Sequence, residues 1–167
     1  MKILLATDGS IFSDAAIKEL VRRTWPFETE VRVLSVAHPV PLIEDPLLVV
    51  AACHFDSLRD EQKRASRDAA AAAAEISRHA PYLQVSTEVL EGSPEKLIVE
   101  EAERWQADLI MMGSHGRGTM ERFLLGSVAQ AVVLHAPCSV EVVRPDRASE
   151  IQGSQSVAAS SESKFSV

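Results

Sequence analysis

The sequence is poor in several things whose absence narrows its class. Only two cysteines occur, Cys53 and Cys138, with no C-x-x-C pair and no zinc-ligand spacing. A disulfide framework and a structural zinc site are thereby excluded, and both residues read as free thiols. No apolar stretch approaches the roughly 20 residues that span a bilayer. The opening MKILLATDGS carries one lysine and five apolar residues before Thr7, too short a core for a secretion signal. The expected location is therefore the cytoplasm, with no membrane association. Basic residues are in the minority, 17 against 24 acidic, for a net charge of −7. General nucleic-acid binding needs a basic footprint, so it is not expected. Repeats of solenoid length are missing. The chain of 167 residues, 46% hydrophobic and 25% charged, suits one domain with a full core.

Glycine is scarce too, but it is concentrated. Of seven glycines, four (Gly113, Gly116, Gly118 and Gly126) fall within fourteen consecutive positions. An apolar run, Leu109 to Met112, leads into them, and an apolar helical pattern follows Ser127. A strand that empties into a glycine-rich turn and then a helix start is a way to build an anion site. Glycine lets the backbone approach closely, and the free N–H groups of the helix start face the ligand.

Taken in order, the chain alternates strands and helices. Lys2 to Ala6 is a short apolar run, as in a strand buried on both faces. Thr7-Asp8-Gly9-Ser10 ends it, and a helix is expected from an N-cap at Ser13 to Arg23, with Ala16, Ile17, Leu20 and Val21 inward. Val31 to Val36 reads as a strand. His38 to Asp56, with three prolines, reads as a long irregular segment holding a short apolar or helical patch at Leu47 to Ala52. Ser57 to Arg78 contains six consecutive alanines, Ala69 to Ala74, and reads as a long helix whose stripe is Leu58, Ala65, Ala69, Ala72, Ala73 and Ile76. Leu83 to Val89 alternates as a strand. Ser93-Pro94-Glu95 opens a helix to Trp105, with Leu97, Ile98, Ala102 and Trp105 inward. Leu109 to Met112, Ser127 to His135 and Ser139 to Val143 complete the series. From Asp146 to Val167 there are seven serines in 22 residues and few large apolar groups, which reads as a disordered tail. The expected division is a nucleotide-binding domain over residues 1–144 and a tail over 145–167.

Strict β-α alternation implies an α/β fold: a doubly wound, five-stranded parallel sheet with helices on both faces. Ligands bind such sheets beyond the strands' carboxyl ends, where the order reverses. Unusual chemistry sits at the ends of the first and fourth strands, so the two should be neighbours. Strand order 3-2-1-4-5 makes them so.

The common phosphate motifs fail. G-x-x-x-x-G-K-[ST] is absent, and Glu121 stands where G-x-G-x-x-G needs its last glycine. What remains is Gly113-x-x-Gly116, nine residues, then Gly126-Ser127. This resembles the ATP-binding signature of the universal stress protein family. Thr7-Asp8 after the first strand, Ser35-Val36 at the end of the second, and Ala136-Pro137-Cys138-Ser139-Val140 before the last fit the same resemblance, which covers about residues 1–144.

The resemblance implies a bound adenine nucleotide, usually ATP, and allows Mg²⁺ with it. It implies Thr7 and Asp8 beside the ribose, phosphates and any metal, and the Val36 backbone on the adenine edge. Met112, Gly113, Ser114, His115 and Gly116 would wrap the ribose and phosphates. Gly126, Ser127 and Val128 would hold the terminal phosphates. It also implies a homodimer paired through Ser139 to Val143. Arg117 and Arg122 are further cations near the loop that the family does not fix.

Plainer readings stand beside these. Asp8 also suits a turn or a cap. His115 reads as a donor to ribose or phosphate more readily than as a general base. His38, His54, His79 and His135 have no metal spacing and read as surface or loop residues. No dedicated catalytic residue is evident. A nucleotide-dependent sensor is the leading expectation. A slow ATPase and a nucleotide-free dimeric scaffold are the alternatives.

Overall fold

Five short strands rich in Val, Ile and Leu assemble side by side in the computed structural model, which describes residues 1–37, 51–117 and 124–145, with only the backbone of 51–58. They are β1 (Lys2–Ala6), β2 (Glu30–Ala37), β3 (Gln84–Glu91), β4 (Leu109–Gly113) and β5 (Ser139–Val143). All pairings are parallel, and the order is β3-β2-β1-β4-β5. This is the expected order, with β1 at the centre. A central strand has both faces covered, and Ile3, Leu4 and Leu5 are each fully buried.

The helices are α1 (Ile11–Arg22), α2 (Ala51–His79), α3 (Pro94–Trp105) and α4 (Ser127–His135). Alternation of side chains along β1 divides the core. Ile3 and Leu5 face α1 and α2, against Ala16, Ile17, Leu20, Ala69, Ala72 and Ile76. Leu4 and Ala6 face the other way, against Ile98 and Ala102 of α3 and Ala129 and Val132 of α4. The alanines of α2 bring that helix close to the sheet, as the small stripe in the sequence implies.

Local boundaries depart from the sequence reading in four places. Helix α1 starts three residues early, capped by Ser10, whose hydroxyl accepts from the Ser13 N–H at 3.3 Å. The Asp8 carboxylate accepts from the Ser10 N–H, which sets the turn before the helix and moves the cap forward. Ser13 lies inside the helix and donates its hydroxyl to the Ser10 carbonyl. Helix α2 begins at Ala51, so Ala51 to Asp56 is helical and not irregular; residues 38–50, with most of the Leu47–Ala52 patch, lie outside the described residues. In α3 the inward face includes Glu101, which no apolar pattern could announce. Ser93 stands at the N-cap of α3, but its hydroxyl donates to the Glu95 carboxylate and caps no N–H group.

Glu101 is 2% exposed yet lies under two guanidiniums. Arg32 of β2 donates to it at 2.6 Å and Arg104 at 2.8 Å. The Arg32 guanidinium also stacks 4.4 Å from the Trp105 ring centre. A buried carboxylate is tolerable only with such partners. Cys138 is half-buried and free, and burial, then the Asp108 charge, push its thiol above the usual range. Cys53, Gly118, Arg122 and the serine-rich tail fall outside what is described in side-chain detail.

Candidate functional site

The parallel register brings the two marked strand ends level. Ala6 lies opposite Met112 across the β1–β4 pair, and opposite Leu34 across β1–β2. Thr7 and Gly113 therefore leave the sheet side by side, with Ser35 and Val36 alongside on β2. These two exits flank the point where strand order reverses, and a cleft of about 650 Å³ opens there.

Each wall has a local cause. On the β1 side, Thr7 still pairs as a strand residue, its N–H donating to the Leu34 carbonyl at 2.9 Å. The chain then turns through Gly9 at φ +69°, which favours glycine. Asp8 anchors that turn with one carboxylate oxygen and the glycine loop with the other, the latter accepting from the Arg117 N–H at 3.1 Å. A Cβ on Gly116 would stand 2.8 Å from that same Asp8 oxygen. Asp8 is therefore both a turn residue and a residue of the cleft wall.

On the β4 side, Gly113 passes α1 at very close range. A Cβ there would lie 2.5 Å from the Phe12 carbonyl carbon. Ser114 continues the strand pairing, donating to the Val143 carbonyl at 2.9 Å. Its own carbonyl accepts from the Gly126 N–H at 2.8 Å, so the chain that leaves at Ser114 returns to it once nine residues have followed Gly116. The motif's spacing is thus a closure length. Ser114 is fully buried, and its hydroxyl meets the His115 ring nitrogen Nδ1 at 3.1 Å. The His115 ring packs on Phe12, centres 5.1 Å apart.

Helix α4 completes the cradle. Gly126 is its N-cap, no side chain caps it, and its first turn has no acid. The first internal bond runs from the Gln130 N–H to the Gly126 carbonyl. The N–H groups of Ser127, Val128 and Ala129 thus have no partner within the helix, and these three residues line the cleft. Backbone donors at a helix start suit a phosphate.

Of the residues expected from the sequence, Thr7, Asp8, Val36, Met112, Gly113, His115, Gly116, Gly126, Ser127 and Val128 line this one cleft. Ser114 does not; it sits behind the wall and locks it. Sequence reasoning missed the fourth wall. Glu61, Arg64, Ala65 and Asp68 of α2 line the cleft, as do Pro94 and Ile98 of α3. The spacing 61, 64, 65, 68 marks one helix face, but in the sequence it looks like any solvated charge cluster. Asp68 pairs with Arg117, and Arg64 lies 3.7 Å from Glu61. Acids gather beside this wall: partial desolvation raises the Asp14 carboxyl above its ordinary range, Lys18 opposes this, and Asp8, Asp68 and Glu75 add to it. Among the described residues no three His, Cys, Asp or Glu side chains cluster as metal ligands, and no helix is long and apolar enough to cross a membrane.

Comparison with known proteins gives consistent matches. The sequence model of the Universal stress protein family matches residues 1–144. Universal stress protein MJ0531 of Methanocaldococcus jannaschii is 36% identical over 143 residues, 86% of this chain and 81% of that protein. Among solved structures, that of hypothetical protein MJ0577 superposes with a TM-score of 0.74 at 26% identity, covering 87% of this chain and 96% of that one. An Arabidopsis thaliana family protein with AMP bound shares the fold, with a TM-score of 0.61 at 16% identity, over 89% and 94% of the two chains.

Proposed function

The chain belongs to the universal stress protein family, and from that premise we propose that its cleft binds an adenine nucleotide, ATP in the first instance, whose occupancy is the signal the protein carries. One observation supports this above the rest: ten residues of a nucleotide signature, drawn from β1, β2, β4 and α4, line a single cleft at the sheet's switch point. In this reading the adenine lies over β2, with the Val36 backbone on its edge, and Asp8 and Gly116 flank the ribose. The N–H groups of Ser127, Val128 and Ala129 take the phosphates. AMP bound to a family member of the same fold agrees with an adenine ligand.

Magnesium would arrive on the phosphates. The acid near the cradle that suits it is Asp8, and one carboxylate with several waters is an ordinary magnesium environment. A role in the cytoplasm, in sensing or signalling, accompanies this reading. Slow hydrolysis is the alternative, and phosphate release that Asp8→Ala abolishes while binding persists would favour it.

Saturable binding of a fluorescent ATP analogue to purified protein is the expected result. Ser127→Ala combined with Gly126→Ala should weaken it at least tenfold, about 1.4 kcal/mol, in protein that still shows a cooperative melting transition. A Cβ on Gly126 would stand 3.2 Å from the His115 Cα and from the Ser114 oxygen, both backbone atoms that must give a few tenths of an ångström, so the melting temperature of the variant is measured beside its binding. Absence of saturable binding, or equal binding by the variant, sinks the proposal.

The second element of the proposal is a homodimer joined at β5. Among the described residues that strand ends the sheet order and pairs with β4 alone, and an edge of apolar residues invites a partner strand. Beside it, α4 exposes Val133 at 47% and Leu134 at 70%. Sedimentation velocity should give a dimer mass for the native chain and a shift towards monomer for Leu134→Glu. A native chain that sediments as a monomer at tens of micromolar contradicts this.

A further inference from the structure

We propose that Asp68 is a specificity-determining residue of the cleft: it holds the Arg117 guanidinium in reserve, and a phosphate group takes that guanidinium over on binding. The proposal builds on the nucleotide reading above and concerns which ligands the cleft prefers.

Arg117 has two attachments of different kinds. Its backbone N–H is fixed on Asp8, 3.1 Å from the carboxylate. Its side chain reaches across to α2 and pairs with Asp68. Both residues line the cleft. The pair lies on the turn after β1: a Cβ on Gly9 would meet Asp68 Oδ1 at 2.6 Å and Arg117 Nη2 at 3.0 Å. The guanidinium is therefore parked against the turn at Gly9, in the lining of the same cleft as the helix start of α4. The backbone pivot can stay on Asp8 while the side chain changes partner.

Charge decides the direction of the exchange. The pair is partly solvated, with the two side chains 32% and 20% exposed. Such a pair is weak, because water screens it and two long side chains lose freedom. A phosphate carries more charge than a carboxylate and offers the guanidinium a bidentate partner. The exchange runs towards phosphate, but the ligand's net gain is reduced by the pair it must break. Once released, the Asp68 carboxylate faces an anion and repels it. A ligand without phosphate breaks nothing and meets no such cost. Asp68 thus lowers affinity for phosphate-bearing ligands selectively, by its hold on Arg117 and by direct repulsion.

Inorganic tripolyphosphate, ATP and adenosine separate the contributions. Asp68→Asn keeps the residue's shape and removes its charge. It should bind tripolyphosphate and ATP about fivefold more tightly than the native chain, in line with the small worth of a partly solvated pair, and adenosine equally well. Arg117→Gln keeps the backbone anchor and should weaken tripolyphosphate binding. In the Arg117→Gln background the gain from Asp68→Asn should be smaller than in the native background, since only direct repulsion is left to relieve, and an equal gain in both backgrounds overturns the exchange. Isothermal titration or ligand-induced thermal shift reads all of these. Equal or weaker tripolyphosphate binding by Asp68→Asn overturns the proposal, as does the absence of tripolyphosphate binding by every variant. Loss of the nucleotide reading looks different: ATP and adenosine fail to bind, while Asp68→Asn still gains affinity for tripolyphosphate.

Discussion

Gly113→Ala is expected to destabilise the protein by about 3 kcal/mol, near the upper end of what overpacking a core costs, and Gly113→Val to prevent folding. The new Cβ would lie 2.5 Å from the Phe12 carbonyl carbon, 2.7 Å from its oxygen and 2.8 Å from its Cβ. The first two are backbone atoms in the first turn of α1, and cannot turn aside as a side-chain tip can. Nor can Gly113 retreat. It is paired with Val143 on β5, and the preceding Met112 is paired with Ala6 on β1. Urea denaturation should show a lower midpoint at unchanged slope. A loss below 1 kcal/mol would mean that α1 and β4 can separate cheaply, contrary to this packing. The same geometry makes Gly113 a poor probe of ligand binding, since its substitution removes the fold along with the site. Gly126 serves better. In this protein the first glycine of the signature is required for packing before any ligand arrives.

The second large effect concerns Glu101. Glu101→Ala should cost about 3 kcal/mol, the scale on which a broken buried ion pair destabilises. The substitution leaves Arg32, with only 22% of its side chain exposed, without its carboxylate, and it opens space beneath α3. For a chain of this size that corresponds to roughly 6–12 °C in melting temperature. Replacing both charges, Arg32→Met with Glu101→Leu, should return stability to near the native value, because the pair's desolvation is removed with it. Calorimetry of Arg32→Met, Glu101→Leu, the double variant and the native chain closes the cycle. If the double variant is as unstable as Glu101→Ala, then the cost lies in lost shape and not in an uncompensated charge. The site lies at the other end of the sheet, so nucleotide binding by folded Glu101→Ala protein should be unaltered.

Much of the architecture was legible because it is local. Alternation of apolar runs with helical periodicity states a parallel α/β fold, and the two chemically marked strand ends state its order. The Gly113-x-x-Gly116 and Gly126-Ser127 spacing located one side of the cleft. The reading slipped for two different reasons, one a local turn and the other a contact between distant strands. The cap of α1 falls at Ser10 and not Ser13 because Asp8 shapes the turn before it. Ser114 belongs to the signature by position, yet it faces the interior, where it pairs with Val143 and Gly126.

The sequence by itself therefore determined the elements apart from their bounds and the glycine-rich wall of the cleft, from periodicity and spacing within a few residues, and the strand order, from two marked strand ends and the rule that a site lies where the order reverses. Only the tertiary structure decided what stands opposite. Asp68 and Arg117 are 49 positions apart, and Asp8 and Arg117 are 109 apart; no local pattern links them. Glu101 and Arg32 meet only because α3 crosses β2. Periodicity records which face of an element is buried. It carries no information on which distant charge that face will meet.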